Sequence, residues 1–315
     1  MGPTGVIGGT RIYCAQHVES VRTGAEVVRE PPDWKGDMYV WTLTGFADEI
    51  SPDLDQQLDT LVRESIRYME LRSVWNTNVL DLTDGELEKI RAAAAERGVG
   101  ISAIGSPIGK VPVTDSFGPH LERFRRALHA AHVMEAPYVR IFSFFIPEDQ
   151  VANMYREEVL GRMGALALEA EDAGLTLLHE NEKEIYGDVP SRCLDILTSV
   201  GSPALRAAWD AANFVQCGVT HPYLEGYKPL RPYIEYVHVK DALAVSGKVV
   251  PAGEGDGEIG ETLSSLRASE FDGFFSLEPH LASSGMHSGF SGPELFRKAA
   301  DAFKELLRER EIEWA

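Results

Sequence analysis

Cysteine is scarce. Only Cys14, Cys193 and Cys217 occur in 315 residues, an odd number with no ligand spacing. Neither a disulfide framework nor a thiolate metal site is written into such a chain, and the thiols read as reduced, cytoplasmic ones. Long apolar runs are also missing. No stretch approaches the ~20 residues that a bilayer-spanning helix needs, so no membrane partner is expected. Val6-Ile7-Gly8-Gly9 lacks a sustained apolar core and is not read as a secretory signal. Positive charge is deficient: 30 Lys and Arg stand against 49 Asp and Glu, a net charge of −19. An acidic surface repels phosphate backbones, which excludes nucleic acid as an expected partner. Finally, no G-x-G-x-x-G turn follows the first strand-like run, so the fingerprint of a doubly wound dinucleotide fold is absent.

What is present is an ordinary globular composition, 44% hydrophobic and 25% charged. Residues 1–38 mix Gly, Pro and charge. They are read as an N-terminal extension, partly helical over Val18–Val28 and dispensable for chemistry. From residue 39 onward, β-branched and aromatic runs alternate with helical periodicity. Strands are expected at Tyr39–Phe46, Tyr68–Arg72, Ile101–Ile104, Tyr138–Phe145, Leu175–His179, Leu205–Trp209, Tyr236–Lys240 and Phe274–Leu277. A helix is expected after each: from a Ser51 cap to Ser65, Thr83–Arg97 with a Thr83/Glu86 capping box, Pro119–Met134, Tyr155–Ala173, Pro190–Val200, a short one at Pro229–Ile234, Glu258–Ala268 and Pro293–Glu309. This alternation predicts an α/β chain with a (β/α)8 TIM barrel over residues 39–315.

In a parallel barrel the chemistry sits at the carboxyl ends of the strands. The last four strands end in Leu-Leu-His-Glu180, Ala-Ala-Trp-Asp210, Tyr-Val-His238 and Phe-Ser-Leu-Glu278. Singly, each polar residue reads as a helix cap, a loop ion pair or a packed histidine. On four consecutive strand ends they converge. Three crowded carboxylates repel unless a cation lies between them, so one divalent metal ion is expected. Oxygen ligands with one imidazole suit Mn²⁺ or Mg²⁺, with Co²⁺ or Zn²⁺ also compatible. Lys240 shares the strand parity of His238 and is a candidate substrate contact, or else pairs with Asp241 or Glu182. His179 has the parity opposite to Glu180 and is either a packed second layer or a proton shuttle. Arg72 and Arg140 are candidates for holding substrate oxygens, or for balancing acids such as Glu70. Gly253-Glu254-Gly255-Asp256-Gly257 reads as a flexible lid or turn.

The motifs His-Glu180-Asn, Trp-Asp210-Ala-Ala-Asn213, Val-His238-Val-Lys240-Asp241 and Leu-Glu278-Pro-His280, with Phe46-Ala47-Asp48-Glu49-Ile50 and Glu70-Leu71-Arg72 upstream, resemble the xylose isomerase-like TIM-barrel superfamily. More narrowly, they resemble its sugar phosphate isomerase/epimerase branch, with ketose 3-epimerases and inosose dehydratases as relatives. The resemblance implies that Glu180, Asp210, His238 and Glu278 hold one divalent ion. It also implies that Glu180 and Glu278 form the acid/base pair. Asn213 stands where the ketose epimerases carry a histidine, which alters how a substrate hydroxyl would be held.

The expected activity is a metal-dependent sugar isomerase or epimerase working through a metal-stabilised enediolate, by proton abstraction next to a carbonyl. The alternative is a lyase on a keto-sugar or keto-inositol, a dehydratase or a C-glycoside-cleaving β-elimination. A hydrolase of damaged DNA is disfavoured by the net charge and by the absence of histidine after the second and third strands. A non-catalytic barrel is disfavoured by retention of all four ligand-type residues. The expected partner is a small sugar or cyclitol, with a homo-oligomer or a small partner subunit also compatible.

Overall fold

The structure is a computed structural model and describes residues 40–282 and 291–315. The N-terminal extension, its expected helix at Val18–Val28 and Cys14 lie outside the described residues.

Short apolar runs form the barrel strands β1 Val40–Gly45, β2 Tyr68–Leu71, β3 Gly100–Ile104, β4 Tyr138–Ile141, β5 Thr176–Glu180, β6 Leu205–Asp210, β7 Ile234–Val239 and β8 Phe274–Leu277. A ninth strand, β9 Glu313–Trp314, pairs with Val40–Trp41 of β1. Among the described residues these make one nine-stranded sheet, ordered β9-β1-β8-β7-β6-β5-β4-β3-β2. Its pairings are parallel. A parallel bridge between Phe46 and Glu70 joins the two flanks of the curled sheet.

The helices are α1 Leu54–Arg63, α2 Asp84–Glu96, α3 Phe117–Met134, α4 Arg156–Asp172, α5 Pro190–Val200, α6 Ala211–Gln216, α7 Ile259–Ala268 and α8 Gly292–Arg308. The capping box at Thr83/Glu86 forms as expected. The α1 cap is Asp53, whose side chain accepts from Gln56 N–H; Ser51 instead accepts from Asp53 N–H. Strand residues pointing outward join the helices in one large apolar cluster that includes Leu43, Phe275, Phe296 and Phe303. Inside the barrel a small plug of Ala103, Leu178, Ala208 and Tyr236 fills the lower part.

Three differences from expectation have a bearing on the site. β4 stops at Ile141 rather than Phe145 because the backbone changes partners: Phe142, Phe144 and Phe145 donate to Ile108, Gly109 and Val111 carbonyls. That crossing needs Gly109, at φ +89°, since a Cβ there would lie 2.0 Å from the Phe142 carbonyl oxygen. An additional helix, α6, follows β6 directly behind Asp210, and the expected short helix at Pro229–Ile234 is the end of a run of helical turns, π over Pro222–Tyr227, α over Lys228–Leu230 and 3₁₀ over Arg231–Tyr233. β7 spans Ile234–Val239, ending one residue before Lys240.

Candidate metal centre

The register of the sheet delivers the four ligand-type residues to one level. Glu180 and Asp210 are the last residues of β5 and β6, His238 is the penultimate residue of β7, and Glu278 follows β8. Asp210 lies opposite His238 and Glu180 opposite Ala208. One ligand atom from each of the four falls within 4.8 Å of all the others, and each residue is buried. His238 Nδ1 is 3.4 Å from Glu180 Oε1 and 3.8 Å from Glu278 Oε2. Buried polar atoms normally have hydrogen-bond partners. Here His238 Nδ1 makes no hydrogen bond. Three carboxylates and a buried imidazole nitrogen without a hydrogen bond, converging from four strands, fit a divalent cation.

Fixed cations surround the cluster. Lys240 Nζ is 2.7 Å from Asp210 Oδ2 and 2.9 Å from Glu278 Oε2. Arg140 donates to Glu180 Oε2 at 3.1 Å and to the Gly105 and Ser106 carbonyls. Arg72 donates to Asp48 at 2.7 Å and to Glu278 Oε1 at 3.4 Å. Burial would raise the Glu180 carboxyl, but His238 and Arg140 outweigh it and hold the group at about 2. Glu278 is likewise raised by burial and then driven well below its usual range by Lys240, His280 and His238. Burial lifts Asp210 to about 6, with Glu278 and Glu180 adding to the rise and Lys240 opposing it.

Asn213 locks the geometry. Its Nδ2 donates to Glu180 Oε1 at 3.2 Å and to the Asn181 carbonyl at 2.8 Å, and its N–H donates to Asp210 Oδ1 at 2.8 Å. Asp210 is therefore both a ligand-type residue and the N-cap of α6. Asn213, Lys240, Arg72 and Arg140 all reach the cluster. His179 does not: its Nε2 meets Ser143 Oγ at 3.0 Å, beneath Gly187. The 253–257 segment is a turn but not a loose lid, because Asp241 accepts from the N–H groups of Gly253, Gly255 and Gly257.

Glu70 adds a residue that the sequence offers only as an acid for an arginine to balance; its place on the buried strand β2, in phase with Arg72, is the signal for more. It lies under His238, with Oε2 3.3 Å from Nε2, and accepts from Ser276 Oγ at 2.8 Å. A carboxylate behind a ligating imidazole fixes its tautomer and orientation. Glu70→Gln should weaken Mn²⁺ affinity about 10–100-fold with unchanged melting of the metal-free protein. Titration calorimetry showing unaltered affinity would remove Glu70 from this role.

Fold and site together define a parallel (β/α)8 barrel carrying a buried carboxylate–imidazole cluster at its carboxyl mouth. The chain belongs to the xylose isomerase-like TIM barrel family, whose model matches residues 58–307. It is 28% identical over 187 residues to 2-epi-5-epi-valiolone 7-phosphate 2-epimerase of Actinoplanes sp. (strain ATCC 31044 / CBS 674.73 / SE50/110), covering 59% of this chain and 66%, just under two thirds, of that enzyme. Among solved structures, a D-tagatose 3-epimerase-like protein superposes with TM-score 0.70 at 17% identity, over 86% of this chain and 98% of the other. A probable 3-DHS dehydratase involved in petrobactin synthesis in Bacillus anthracis superposes with TM-score 0.67 at 17% identity, over 84% and 98%. At such identities these two show the fold alone. Among the described residues no helix is long and apolar enough to cross a membrane.

Proposed function

We propose that residues 39–315 form a divalent-metal-dependent isomerase or epimerase acting on a sugar or cyclitol, by proton transfer at the carbon beside a carbonyl. The observation that carries this reading is the pair Glu180 and Glu278. Both are buried and held ionised, each is braced by its own cations, and they belong to one ligand cluster. The match to a valiolone phosphate epimerase supports it.

Glu180, Asp210, His238 and Glu278 would hold the ion, Mn²⁺ or Mg²⁺ by donor chemistry, with Co²⁺ and Zn²⁺ also compatible. When bound, the ion supplies Lewis-acid charge that makes a C–H next to a carbonyl more acidic. One carboxylate would take that proton, and the other, protonated from solvent before it acts, would return one from the opposite face. Asn213 and Arg140 keep Glu180 aimed, while Lys240 and Arg72 keep Glu278 aimed.

A second reading, elimination rather than epimerisation, is favoured by Lys240. Its ammonium, kept protonated by Asp210 and Glu278 against burial, is a fixed positive charge that would stabilise a departing hydroxyl by hydrogen bonding. Proton exchange tests the shared chemistry. Ketoses, keto-inositols and valiolone phosphates incubated in D₂O with the Mn²⁺ or Mg²⁺ protein should gain deuterium at one carbon. An inverted product marks the epimerase and a dehydrated one the lyase. A fully loaded protein that exchanges no proton in any of them refutes the proposal for these substrate classes.

A further inference from the structure

Glu278 belongs to a second group of ligand-type atoms. Glu49, Glu278 and His280 bring one atom each within 4.8 Å of the others. Glu49 closes the turn after β1 and is fully buried. Its Oε2 accepts from the His280 N–H at 2.8 Å and from the Ser291 hydroxyl at 2.9 Å. Its Oε1 accepts no hydrogen bond, and His280 Nε2 makes none. Yet these two atoms face each other at 3.2 Å, and His280 Nε2 is 3.3 Å from Glu278 Oε1.

A buried carboxylate oxygen left without a partner is costly. Here it is oriented, by two hydrogen bonds to its twin oxygen, toward an imidazole nitrogen at ion-pair distance that likewise makes no hydrogen bond. Ligands at ~2.0 Å from a shared tetrahedral ion lie roughly 3.3 Å apart, the spacing found between His280 Nε2 and each of the two carboxylate oxygens.

We propose that Glu49, Glu278 and His280 form a second divalent-cation site, with Glu278 bridging the two ions. Its Oε2 faces His238 and Lys240, and its Oε1 faces His280. Two carboxylates and one imidazole leave coordination positions open and suit Mn²⁺ or Zn²⁺. Ligand number and charge set the order of filling. The second group offers three ligands against four, and both the first ion and the Arg72 guanidinium, 3.4 Å from Glu278 Oε1 and 4.0 Å from Glu49 Oε1, oppose a further cation there. The second ion therefore binds after the first and more weakly, by about tenfold or more given a unit charge at this range in a protein interior. The site rests on the reading of Glu278 as a ligand and is independent of which reaction follows.

The test is stoichiometry at equilibrium on the full chain stripped by chelator, with Mn²⁺ followed by electron paramagnetic resonance and Zn²⁺ by calorimetry. The wild type should take up two ions in separated phases, with the second quenching the isolated-Mn²⁺ signal through coupling across Glu278. His280→Ala and Glu49→Gln should each keep the tight ion and lose the weak one. His238→Ala should lose the tight one. His280 is partly exposed, so its variant decides the matter if Glu49→Gln fails to fold. Saturation of the wild type at one ion overturns the second site alone, as does a weak phase that survives in the His280 variant. Uptake of no ion overturns both this site and the metal reading of the first.

Discussion

Glu180→Gln and Glu278→Gln should each lower kcat about 10²–10⁴-fold, the range that positioned acid–base groups contribute. Glutamine keeps the size and one oxygen donor, so the assay is run at saturating Mn²⁺ with occupancy measured. The two variants should also differ from each other. If the carboxylates serve opposite faces of one carbon, each variant loses deuterium exchange from one epimer and retains some from the other. Isotope analysis of both epimers reads this directly. Activity within tenfold of wild type in either variant, with the metal bound, would remove that carboxylate from the proton path.

The second large effect concerns Lys240. Its ammonium is a cation among three buried carboxylates, within 2.9 Å of two of them. Lys240→Met keeps the apolar stem and removes the charge. Breaking a buried ion pair by deleting one partner costs about 3–5 kcal/mol, and here two carboxylates lose their nearest compensation. The metal-free variant should lose stability of that order in urea unfolding. Added Mn²⁺ should recover a large part of it, because an ion binding only the folded state stabilises that state by mass action. The midpoint shift on adding Mn²⁺ should thus be larger in the variant than in wild type. An equal shift would show that Lys240 and the ion do not answer the same carboxylates.

The four strand-end residues were legible because each ends an apolar run abruptly, and a barrel admits one mouth for such ends. The eight barrel strands were legible for the same reason. Other features have weaker local signals. Helix α6 has six residues, too few for periodicity to show, and its cap is Asp210, already read as a ligand. Strand β9 has two residues, and only its partner at the far end of the chain makes it a strand. His179 sits on the same strand as Glu180 but one step out of phase, and phase decides that it meets Ser143 instead of the cluster. Arg72 pairs with Asp48 and Glu278 in preference to Glu70, a choice fixed by the meeting of β1, β2 and β8, which no local pattern encodes.

The pairing of β1 with β8 has a bearing on how the protein acquires its site. The His280 N–H and Glu49 Oε2 that meet near this closure are separated by 231 residues in sequence, and Ser291 and Glu49 by 242. Contacts of such long range form late, since loop closure must precede their reward. The Glu49–Glu278–His280 group is therefore completed only when the first and last strands come together, whereas Glu180, Asp210, His238 and Glu278 lie on four adjacent strands that pair without that closure. On the proposed reading, capture of the second ion and the last topological event of folding become one step, and scarcity of that ion would be felt during maturation.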